Sequence, residues 1–65
     1  MTIIKNAVAD LIAELNTNDE RVNTLFFILG GLEGAEDALS KKDAEVIAKI
    51  LGYARNNVIK DKAES

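Results

Sequence analysis

The stretch Leu25-Phe26-Phe27-Ile28-Leu29-Gly30-Gly31-Leu32-Glu33-Gly34 holds both phenylalanines, the longest apolar run and three of the four glycines of the chain. A helix that is apolar on one stripe needs one neighbour, whereas Leu25 to Leu29 is apolar all round its turn and needs cover on every side. The segment is therefore expected at the centre of the fold. Glycines inside a helix cost roughly 1 kcal/mol each against alanine, so this cluster requires either a helix break or a packing reason. In the packing reading, Gly30, Gly34 and Ala38 recur every fourth residue and form a smooth groove that admits another helix backbone. In the breaking reading, Gly30 or Gly31 closes one helix, and Glu33, Glu36 and Asp37 occupy the first turn of a short new one. One long helix over 19–39, kinked at 30–31, is the expectation.

Before this segment, Ile3, Ile4, Ala7, Val8, Leu11, Ile12 and Leu15 follow the three-and-four spacing of an amphipathic helix over about 3–16, with Lys5, Asn6, Asp10 and Glu14 opposite. Asn16-Thr17-Asn18-Asp19 then interrupts it, and Thr17 with Glu20 has the spacing of a capping box for the next helix. The inward positions of that helix are Val22, Leu25, Phe26, Leu29 and Leu32, which leaves Phe27 and Ile28 on other faces.

After it, Ser40-Lys41-Lys42-Asp43 places an N-cap serine three residues before an acid and predicts a third helix over about 41–60. Ala44, Ile47, Ala48, Leu51 and Val58 share one face of it, and Val46, Ile50 and Tyr53 form a second apolar strip beside the first. Ala44, Ala48 and Gly52 are again four apart. They are expected to meet the Gly30/Gly34/Ala38 groove in an antiparallel hairpin across the short turn at Ser40. Residues 61–65 are charged and expected to fray.

The 65-residue chain forms one domain and has no Cys, His, Pro or Trp, so neither disulfides nor thiolate or imidazole metal sites can staple it. A domain this small buries only about 60% of the surface its unfolded chain exposes, and association with a second copy is the economical remedy. The composition is aliphatic and free of proline, as in an all-α protein. No signal-peptide pattern opens the chain and no apolar run approaches the roughly 20 residues of a membrane span, so a cytoplasmic protein without membrane contact is expected. The net charge of −3 hides an asymmetry, with residues 1–40 at −5 and residues 41–65 at +2. An acidic first half argues against wrapping nucleic acid with the whole surface.

Catalytic signatures are missing. Acid–base or nucleophilic work would fall to Asp, Glu, Lys, Ser, Thr or Tyr, in no recognisable constellation. Asp10 and Glu14 share a helix face, and Glu33, Glu36 and Asp37 could hold a hard cation through oxygen ligands, but a solvated acidic face accounts for both. Gly30-Gly31-Leu32-Glu33-Gly34 lacks the lysine and the preceding strand of a phosphate-binding loop. The protein is read as non-enzymatic, with no metal and no cofactor.

Residues 44–62 support a different reading. In Ala48-Lys49-Ile50-Leu51-Gly52-Tyr53-Ala54-Arg55-Asn56-Asn57-Val58, the alanine, the glycine four later and the valine six beyond that resemble the helix-turn-helix unit of phage repressors and related bacterial regulators. The resemblance implies that Gly52 ends one helix and that a recognition helix starts near Ala54. Arg55, Asn56 and Asn57 would then reach base edges, with Lys49, Lys60 and Lys62 on phosphates.

The first reading is an all-α three-helix unit, a helical hairpin plus an N-terminal helix, that pairs with a second copy into a helical bundle. Its interface would hold Phe27, Ile28, Gly30, Gly34, Val46, Ile50 and Tyr53. Its function would be protein–protein interaction or regulation, with another protein as further partner. Asp19, Glu20, Glu33, Glu36 and Asp37 offer an acidic surface suited to an adaptor or an inhibitor that imitates nucleic-acid charge. The alternative is a DNA-binding regulator, the only reading in which nucleic acid is a partner.

Overall fold

The computed structural model describes residues 2–15 and 20–64. Three helices, α1 (Ile3–Glu14), α2 (Glu20–Gly34) and α3 (Lys41–Glu64), with a 3-10 turn at Glu36–Ala38, make an all-α fold with no strand among the described residues. The Asn16–Asp19 link, and with it the Thr17 half of the expected capping box, lies outside the described residues.

The apolar periodicities translate directly into buried faces. Ile4, Val8 and Leu11 of α1 join Leu29 of α2 and Ala44 and Leu51 of α3 in one core, with Ile3, Ala7, Ile12, Leu15, Leu32, Leu39, Ile47, Ala54 and Val58 packed around it. Val22 is buried as well, and Phe26 is half-buried, so the inner stripe of α2 is the expected one apart from Leu25 at its edge. Ser40 caps α3 as its spacing predicts: its Oγ accepts the Asp43 N–H at 3.1 Å and its carbonyl accepts the Ala44 N–H at 2.9 Å.

The pairing of the helices differs from the expected hairpin. α1 is the central element: it packs extensively along α3 and contacts α2, whereas α2 and α3 make no extensive contact. α1 and α3 run side by side in the same direction, because the start of α1 rests on Glu36, just ahead of α3, and its last residue, Glu14, reaches Arg55 and Lys62. The long α3 also sets the shape. Its 24 residues span about 36 Å at 1.5 Å per residue, close to the 38 Å long axis of the molecule. The radius of gyration of 12.2 Å accordingly exceeds the roughly 10.7 Å of a compact domain of this length.

Three further sequence expectations are corrected here. α2 runs through Gly30 and Gly31 and ends at Gly34, where the chain tightens into the Glu36–Ala38 turn. Among the described residues, a Cβ at Gly30, Gly31, Gly34 or Gly52 would meet nothing within 4 Å, so no described helix lies against the glycine groove. The physical reason is that two interior glycines cost α2 only about 2 kcal/mol, a penalty that hydrophobic burial of its other face can offset. α3 does not fray at residue 61 but continues to Glu64, with Lys62 held against Glu14 at 3.4 Å.

The start of α1 has an unusual cap. The first amides of a helix lack intrahelical partners, and the Thr2 side chain supplies none here. Glu36 supplies them from across the sequence. Its Oε2 accepts the Ile3 N–H at 2.8 Å and its Oε1 accepts the Lys5 N–H at 3.1 Å, in a residue only 2% exposed. A carboxylate here also opposes the positive end of the helix dipole, and the first turn of α1 holds no acid of its own.

Two stability measurements follow. Glu36→Ala, which removes both acceptors, should lower the unfolding free energy by about 2–4 kcal/mol in urea titrations, and Glu36→Gln, which turns one acceptor into a donor, should recover only part of it. The exposed neighbour Glu33→Gln should stay within about 0.5 kcal/mol. Gly30→Ala and Gly31→Ala should each stabilise by about 0.5–1 kcal/mol and raise the melting temperature, and a loss of stability would reveal a contact the glycines make.

Candidate interaction surface

Side chains that a 65-residue core cannot cover are the feature to explain. On α2, Phe27 is 85% exposed and Ile28 is also exposed. Phe27, Gly30, Gly31 and Gly34 stand at i, i+3, i+4 and i+7, and so share one outer face of the helix. That face presents a single aromatic ring followed by bare backbone, since none of the described residues lies over the three glycines. On α3, Val46, Ile50 and Tyr53 are 52%, 59% and 59% exposed, and form the strip beside the buried face that the periodicity predicts. All five large side chains assigned from sequence to an interface are thus on the surface. The two sets belong to helices without extensive mutual contact, so they offer two surfaces. Ile59 adds a further exposed apolar side chain that the sequence reading did not single out, and Leu25, expected to point inward, is exposed at the edge of its stripe.

The basic residues are divided by the fold. Arg55 Nη2 lies 3.7 Å from Glu14 Oε1, and Lys62 Nζ donates to Glu14 Oε2 at 3.4 Å. One α1 carboxylate therefore holds two of the four cations assigned to DNA. The Arg55 Nε is buried without a hydrogen-bond partner among the described residues, while the side chain as a whole stays 41% exposed. Lys49, Asn56, Asn57 and Lys60 remain exposed. The decisive geometry is in the backbone. The helix-turn-helix resemblance requires a turn at Gly52, and α3 instead continues without interruption from Lys41 to Glu64. No recognition helix starts at Ala54. Glycine at position 52 costs about 1 kcal/mol, too little to break a helix whose flanking Leu51, Ala54 and Val58 are held in the core.

The acidic cluster is divided too. Glu36 turns inward as the α1 cap, while Glu33 and Asp37 face solvent, so the three do not gather round a cation. Among the described residues no group of three or more acidic side chains is placed to hold a metal ion. Asp19 and the side chain of Glu20 lie outside the described residues. No described helix is long and apolar enough to cross a membrane.

Sequence reasoning missed Glu36 and Glu14 as structural anchors. A partial signal for the first existed: the first turn of α1 holds no acid of its own.

In anisotropy titrations at about 0.15 M salt, duplex DNA should show at most weak, salt-sensitive and sequence-blind binding. A nanomolar, sequence-dependent complex lost on Arg55→Ala would reinstate a base-reading role.

Comparison with protein families, curated proteins and solved structures gives no match for this chain.

Proposed function

We propose that the protein is a non-enzymatic protein–protein interaction module that acts as a helical homodimer. One observation carries the reading: Phe27, Ile28, Val46, Ile50 and Tyr53 are exposed, while only seven of the described residues are buried and apolar. Large apolar side chains gathered on helix faces are what partner surfaces use as anchors. A small domain with little core gains most from covering them, because association removes apolar area from water that folding alone leaves wet. Homodimerisation covers one of the two surfaces and leaves the other, with the exposed acids Glu33 and Asp37 nearby in sequence, for a second protein. That second partner is of basic character, as suits an acidic adaptor or inhibitor, with Glu36 no longer among its contacts.

Sedimentation equilibrium should give twice the 7.0 kDa chain mass at tens of micromolar, and the thermal transition should move down on dilution. A monomer with a concentration-independent melt would overturn the reading.

A further inference from the structure

We infer that two copies associate through the outer stripe of α3, packed antiparallel, with Asp43 of one chain against Lys60 of the other. The inference deepens the homodimer reading and rests on it. It names which surface is used and in which direction.

Starting from the exposed strip and extending it at alternating steps of three and four gives Asp43, Val46, Ile50, Tyr53, Asn57 and Lys60. All six are exposed. Steps of three and four keep side chains on a single seam along a helix, the pattern by which two helices interdigitate. Read along α3, the seam runs from an acid, through three apolar residues and an amide, to a base. Such a stripe has a direction, and the direction decides how it can meet itself. Parallel and in register, Asp43 would face Asp43 of the second copy and Lys60 would face Lys60, so both ends would repel. Antiparallel, the six residues pair in order: Asp43 with Lys60 of the second copy, Val46 with Asn57, Ile50 with Tyr53, and the same three pairs again by the two-fold axis. Opposite charges then meet at both ends, and the apolar residues gather at the middle. This self-complementarity is what a two-fold interface requires.

Two further observations favour this stripe over the α2 face. Among the described residues, neither Asp43 nor Lys60 enters an ion pair within its own chain, in contrast to Arg55 and Lys62. In addition, α3 is capped by Ser40 and packed along α1, so the seam is presented on a helix that is already ordered. The Phe27 face has no comparable polarity, being an aromatic followed by glycines, and it stays free for a different protein. The seam is only six residues long, so the complex belongs to the weak, reversible class, with a dissociation constant on the order of micromolar.

The absence of cysteine makes a disulfide test clean. Val46→Cys and Asn57→Cys chains, prepared separately, mixed and mildly oxidised, should give the mixed Val46→Cys/Asn57→Cys dimer in preference to either self-linked one. In the antiparallel seam, two copies of position 46 lie about 16 Å apart, beyond disulfide reach. Preferential self-linking of Val46→Cys would mean a parallel seam, and a statistical mixture would mean no seam on α3; either overturns the inference. As a non-covalent check, Lys60→Asp should weaken self-association roughly fivefold or more, and adding an equal amount of Asp43→Lys chain should restore it. Circular dichroism of each variant confirms the fold. If the unaltered chain dimerises but neither the cross-link nor the charge change follows this pattern, the homodimer stands and the α3 seam fails. If the unaltered chain sediments as a monomer, both fail.

Discussion

The Glu36 carboxylate, held against the first amides of α1, is the contact on which the arrangement of the other elements depends. α1 has 12 residues, a length at which an isolated helix is marginal in water, so it exists because it is docked. Glu36 fixes one end of that docking. It ties the start of α1 to the turn that leads into α3, and this sets the two helices parallel and in register. With that register set, Ile4, Val8 and Leu11 fall along the face of α3 that carries Ala44 and Leu51, and Glu14 arrives beside Arg55 and Lys62. The distant ion pairs are surface contacts worth little individually, so they trim the register that the cap and the core have set. The buried acid is tolerated because two backbone donors replace the water it gives up.

Much of the secondary structure was legible in the sequence because it is written locally. The three-and-four spacing of Ile4, Val8 and Leu11, the serine at position 40 and the two strips of α3 are properties of neighbouring residues, and each appears where its pattern placed it. Which helix covers which was not legible. Periodicity tells that a face needs cover without telling whose side chains supply it, and small-residue spacing pointed α3 to α2 when its partner is α1. The glycines misled for a related reason. Their cost is small enough to be carried on an exposed helix face, so their spacing carried no packing information inside the chain. The same weakness undid the helix-turn-helix reading, which rested on Gly52 as a turn former. The exposed strip could be recognised as apolar from sequence, but its charge polarity acquired meaning only once α3 was one uninterrupted helix from Asp43 to Lys60.

The surface follows from this division of labour. α1 is apolar enough to be enclosed on two sides, and in serving both neighbours it leaves each of them half-covered. α2, which holds the longest apolar run of the chain, is therefore peripheral, with Phe27 in solvent. A bundle with α2 in the middle would have hidden those side chains and left part of the apolar surface of α1 exposed instead. The protein gives up that burial within one chain and carries an uncovered face on either side of its central helix.

The parallel pairing of the first and last helices bears on how the chain folds. Hydrogen bonds in this small helical protein join residues 33 and 48 positions apart, so its defining contacts close long loops where an up-down bundle would close short ones. Folding rate falls as the sequence separation of contacts rises, which places this chain among the slower helical domains. It also orders events during synthesis. α1 and α2 emerge first and find only their minor contact, while the long apolar surface of α1 and the donors that Glu36 will satisfy wait for the turn and then α3. Until α3 is made, the buried face of α1 is without most of its cover, and for that interval aggregation or capture by a chaperone competes directly with folding.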